Sequence, residues 1–123
     1  SYFTGWTSTD DAITWDVEPL TPGRYRAEVY YTCPRAKVGS TIELRLGDQA
    51  VTRVVDEPHD PPLYGDNHDR APRGSESLVK DFRPLSMGEL TLPATRGPLT
   101  LRALKVAGHQ VMDVRGVVLT LLP

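Results

Sequence analysis

The chain has 123 residues, with 14 basic and 16 acidic side chains and a formal net charge of −2. That length suits one domain with a core of its own, and the ordinary apolar (39%) and charged (24%) shares argue against disorder. There is no basic arm of the kind a nucleic-acid binder carries, and the longest apolar run, Val117–Leu122, is too short for a membrane-spanning helix, so neither partner is expected.

Ser1 to Asp11 has neither a basic start nor an apolar stretch, so it does not read as a signal peptide. The expectation is a single domain over 1–123, cut from a longer polypeptide whose export signal lies upstream. Cys33 is the only cysteine, which excludes an internal disulfide framework. With no activating neighbour in sequence, it reads as a small strand-end residue.

Eleven prolines and ten glycines divide the chain into short segments, the rhythm of a sandwich or barrel. Ile13, Trp15 and Val17 alternate with polar residues and predict a first strand with Trp15 in the core. A Thr-Pro-Gly turn leads to Tyr25, Ala27, Val29 and Tyr31, a long strand with one buried and one polar face. Tyr30 stands on the polar face, as a binding platform or as cross-strand packing.

Ile42, Leu44 and Leu46 mark a third strand, and Gly47-Asp48 a tight hairpin into Val51–Val55. Leu78–Phe82 and Leu90–Leu92 are weaker strands. Leu99, Leu101 and Ala103 alternate until Leu104 and Val106 shift the phase, which predicts a bulge near Ala103. Val117, Leu119 and Leu121 form the last strand. About eight strands imply an all-β fold, an antiparallel β-sandwich.

Asp56 to Ser77 breaks this rhythm with four prolines and many charges, and reads as one long functional loop. It holds Tyr64, Asn67, His68, Asp69, Arg70 and Arg73. An aromatic ring covers the C–H face of a pyranose. Amides, carboxylates and guanidinium groups pair with adjacent hydroxyls, and arginine also suits sulfate. These six residues and Trp6 are the expected ligand-contact set, although the loop could instead fold over a sheet through its own salt bridges. Trp6 itself either faces a ligand or plugs one end of the sandwich.

No nucleophile elbow, phosphate-binding glycine loop or His-Glu-x-x-His pair is present. An independent enzyme would need a cluster such as His59, His68 and Asp69 to converge in a pocket. His59 and His68 lack recognised metal-ligand spacing and read as hydrogen-bonded loop histidines. Asp10, Asp11 and Asp113 are hard oxygen donors near the two ends of the chain, where first and last strands could bring them together around calcium.

The run Ile13-Thr-Trp-Asp-Val-Glu-Pro-Leu-Thr-Pro-Gly-Arg-Tyr-Arg-Ala-Glu-Val-Tyr-Tyr31 resembles the start of galactose-binding-like jelly rolls, among them the family 6 and family 35 carbohydrate-binding modules. Gly97-Pro-Leu-Thr-Leu-Arg102 and the closing Asp113–Leu122 strand fit the same plan. Gly-Trp-Thr-Ser-Thr-Asp-Asp, Tyr-Tyr-Thr-Cys-Pro, His-Asp-Pro-Pro, Val-Lys-Asp-Phe and Gln-Val-Met-Asp-Val look like the C-terminal module of some bacterial arylsulfatases.

The resemblance implies a non-catalytic, glycan-binding accessory module in a secreted or periplasmic enzyme. Its partners would be a polysaccharide, sulfated or not, and an upstream catalytic domain. A structural module that shapes the catalytic domain's cleft is the alternative. No cofactor is implied beyond a structural calcium, toward which Asp113 occupies the place of the family's last-strand aspartate. The Ala-Glu pair that helps hold that calcium in the family has no counterpart here.

Overall fold

The computed structural model describes residues 2–64 and 79–123, which form two antiparallel sheets enclosing an apolar core. The strands are β1 (Ala12–Val17), β2 (Gly23–Thr32), β3 (Thr41–Leu46), β4 (Gln49–Val54), β5 (Leu63–Tyr64), β6 (Val79–Lys80), β7 (Arg83–Leu92), β8 (Gly97–Lys105) and β9 (Asp113–Leu121). One sheet has the order β1-β8-β3-β4 and the other β7-β2-β9, with β5 and β6 forming a small hairpin-like pair. The expected all-β, sandwich-like architecture is present. Among the described residues, no helix is long and apolar enough to cross a membrane.

Alternation places the core. In β2, Ala27, Val29 and Tyr31 are fully buried, while Arg24, Arg26, Glu28 and Tyr30 face outward. Ile42 and Leu44 of β3 and Leu99, Leu101 and Ala103 of β8 oppose them from the other sheet. The hairpin between β3 and β4 has the predicted two-residue loop: Gly47 takes φ +62°, and the following Asp48 does not have a positive φ, as a type II′ turn requires. Tyr25 Oη donates to Thr21 C=O at 2.5 Å and fixes the entry into β2.

The bulge expected near Ala103 is there. Thr41 pairs with Lys105 and Ile42 with Ala103, so Leu104 is the extra residue and is left exposed. Two further bulges have no such clear mark in the sequence. Met87 is extra in β7, opposite Ala27 and Glu28. Arg115 is extra in β9, opposite Tyr30 and Tyr31.

Other expectations need correction. Of the weak strand expected at Leu78–Phe82, Leu78 lies outside the described residues and the rest holds only the two-residue β6, with Asp81 and Phe82 beyond it, and Leu90–Leu92 is the end of a ten-residue β7. Asp56–Ser77 is not wholly loop, because His59 bridges Cys33 and Leu63–Tyr64 pairs with β6. Trp15 is half-buried, packed edge-to-face with Phe3 at 6.1 Å between centroids, because β1 is an edge strand.

Candidate functional site

The expected contact set does not assemble into a described site. Asn67, His68, Asp69, Arg70 and Arg73 lie outside the described residues, and of Tyr64 only the backbone pairing is described. Trp6 is in the core at 5% exposure, so its ring offers no face to a sugar, and the plug is the role its burial fits. Its indole Nε1 has no hydrogen-bond partner among the described residues, nor has Thr32 Oγ1.

His59 is structural. Its Nε2 lies 2.7 Å from Asp81 C=O, which makes the ring nitrogen the donor, and its backbone exchanges two hydrogen bonds with Cys33. The Cys33 thiol is fully buried, and burial pushes its pKa up to about 11. It is therefore not a nucleophile at neutral pH.

Asp113 is already engaged. Lys80 Nζ pairs with its Oδ2 at 2.6 Å, and Thr4 Oγ1 donates to its Oδ1 at 2.7 Å. The Lys80 ammonium also lies 4.9 Å from the Tyr2 ring and 5.6 Å from the Phe82 ring. A fixed cation against the carboxylate repels a second one. Asp11 takes the Thr7 N–H instead, at 3.3 Å. No three His, Cys, Asp or Glu side chains among the described residues are grouped to hold a metal. The described residues around Asp113 do not fit a calcium site.

Two hollows contrast. A larger one, about 590 Å³, lies at the end of the sandwich between Pro22, Leu46, Leu92, Pro93 and Pro98. It has no aromatic lining, and two of its longer polar side chains are in use. Arg96 is bonded to Asp16, whose carboxyl that guanidinium holds below the usual range, and Gln49 Oε1 accepts the Thr91 N–H at 3.4 Å.

The smaller hollow, about 320 Å³, lies on the outer face of the three-stranded sheet and is lined by Tyr30, Arg115, Gly116, Val117 and Val118. Among the described residues, neither the Tyr30 hydroxyl nor the Arg115 guanidinium has a hydrogen-bond or ion-pair partner.

The β9 bulge builds this site. Val114 is fully buried and Val117 packs against the core, so the two residues between them both belong to the outer face, where Gly116 pairs with Tyr30. A bulge re-aims a side chain in this way, here putting Arg115 beside the ring. Gly116 has no positive φ, and a Cβ placed on it would meet nothing within 4 Å. Neither backbone conformation nor packing calls for glycine at that position. Its consequence is open space beside Tyr30. Sequence alternation pointed to Tyr30, but Arg115 and Gly116 needed the register.

No family model, curated protein or solved structure matches this chain.

Proposed function

We propose that this domain is a non-catalytic carbohydrate-binding module, a jelly roll of galactose-binding-like type, and that the outer face around Tyr30 holds the sugar. The observation that carries this reading is the hollow of about 320 Å³ beside Tyr30, kept open by Gly116 and edged by the uncommitted Arg115. A tyrosine ring covers the apolar C–H face of a pyranose, while its hydroxyl and a guanidinium reach ring hydroxyls. The chain crosses from sheet to sheet at nearly every connection, with β3–β4 the long same-sheet hairpin, and this supports the jelly-roll description. The resemblance to arylsulfatase C-terminal modules supports an upstream catalytic domain as partner, and with it a secreted or periplasmic setting.

The test is affinity electrophoresis of the chain through gels containing neutral and acidic polysaccharides. The expected outcome is retardation by at least one polymer, lost by about tenfold or more in affinity in Tyr30→Ala, on the order of 1.4 kcal/mol, with the unfolding midpoint nearly unchanged. A folded sample retarded by none of them would remove the glycan reading.

The second reading is a structural module packed on a catalytic domain. It is favoured by the apolar side chains along the β1 and β9 edge, where Phe3 is 48% and Leu121 44% exposed.

A further inference from the structure

We infer that the sugar at this face is an anionic one, a residue bearing sulfate or carboxylate, with Arg115 as the group that selects it. This rests on the glycan reading above. The outer face of the three-stranded sheet carries Arg24, Arg26 and Glu28 on β2 and Glu89 on β7. These pair among themselves: Arg24 Nη1 with Glu89 Oε1 at 3.2 Å, and Arg26 Nε with Glu28 Oε1 at 3.8 Å. Arg115 has no such carboxylate among the described residues.

An arginine placed by a bulge, beside an open aromatic, with its charge uncompensated, is matched to a planar or tetrahedral anion that accepts two N–H bonds. Neutral hydroxyls need no full charge. The chain as a whole carries a formal net charge of −2, so general attraction of a polyanion is not expected and binding would have to come from a local site. Lys80 is spent on Asp113.

Gly116 makes the inference separable from stability. Because φ there is ordinary and the space is empty, Gly116→Leu fills the hollow without backbone strain. Removing glycine from a strand is neutral or mildly favourable to folding.

The experiment measures binding of the chain to chondroitin sulfate, its desulfated form, alginate and neutral galactan by isothermal titration, with Tyr30→Ala, Gly116→Leu, Arg115→Gln and Arg102→Gln alongside. Arg102 is exposed on the opposite sheet and serves as the charge control. The expected result is binding to a sulfated or carboxylated polymer, weakened roughly tenfold or more by Arg115→Gln, as for loss of a charged hydrogen-bonding group. Arg102→Gln leaves it unchanged, and Tyr30→Ala and Gly116→Leu abolish it.

Equal binding of neutral and anionic polymers that Arg115→Gln does not alter would overturn the anionic assignment and leave the glycan reading standing. Anionic binding weakened equally by Arg102→Gln and untouched by Gly116→Leu would also overturn it, as diffuse charge attraction. No binding to any polymer would fell the underlying reading itself.

Discussion

Along one edge of the sandwich β4 lies against β7, and polar side chains reach from one sheet to the other. Arg53 Nη1 donates to Ser86 C=O at 2.8 Å, next to the Met87 bulge, and Gln49 takes the Thr91 N–H. Along the other edge β1 and β9 end their sheets with half-covered apolar side chains, Ile13, Trp15 and Val17 on one and Val117 and Leu119 on the other. Phe3, bridged to Val114 of β9, meets Trp15 of β1 there. An outer strand leaves a row of backbone groups without partners, and covering or bonding that row is how proteins manage it. The first edge supplies side-chain partners for such groups, whereas the second depends on ring and methyl contacts.

The two edges therefore respond to different substitutions. Trp15→Ala is expected to cost the most, about 2 kcal/mol, less than for a fully buried tryptophan because the ring is partly in water. The measurement is urea unfolding, and a cost below about 0.5 kcal/mol would mean that the apolar edge contributes little. Arg53→Ala is expected to cost about 1 kcal/mol, for one hydrogen bond to a carbonyl and two weak pairs with Asp56 and Glu57 at 3.5 and 3.8 Å. Its diagnostic is local: faster hydrogen exchange confined to the middle of β7 and to β4. Uniform acceleration across the sandwich would show instead that the polar links do not act at that edge.

The smallest effect belongs to Asp16→Asn on β1. Arg96 holds the Asp16 carboxyl below its usual range, so any stabilisation is present above the ordinary carboxylate pKa and lost as pH falls through the lowered one. The pair is exposed, 69% and 56% for the two side chains, and solvent screens it. The unfolding midpoint at neutral pH is expected to stay within error. A clear drop there, absent at pH 2, would show that the open edge has electrostatic support besides its apolar contacts.

Much of this architecture was legible from alternation. β1, β2 and β3 follow it without interruption, and the phase slip at Leu104 located a real bulge. β7 was harder to read because Pro84, Ser86, Gly88 and Glu89 dilute it, and Met87 breaks the two-residue period between Leu85 and Leu90. The bulge in β9 hid in the same way: Val114 and Val117 are three apart, so Arg115 and Gly116 looked like ordinary positions of a fading pattern. The candidate site lies at that break. Tyr30 was visible as an aromatic out of phase with the core, but its neighbours come from a strand more than eighty residues later, which local pattern cannot align. Trp6 shows the reverse, a polar sequence context around a buried ring, since Trp6 C=O accepts the Val111 N–H at 2.8 Å and draws the segment inward.

Cys33 has a practical consequence in an oxidising compartment. The sole thiol of the chain is sealed in the core and held protonated well past neutral pH. Disulfide exchange needs an accessible thiolate, so the folded domain is inert to it. The unfolded chain regains an ordinary thiol. Covalent dimers in a stored or heated sample would therefore count the molecules that have opened, making this one sulfur a built-in recorder of unfolding.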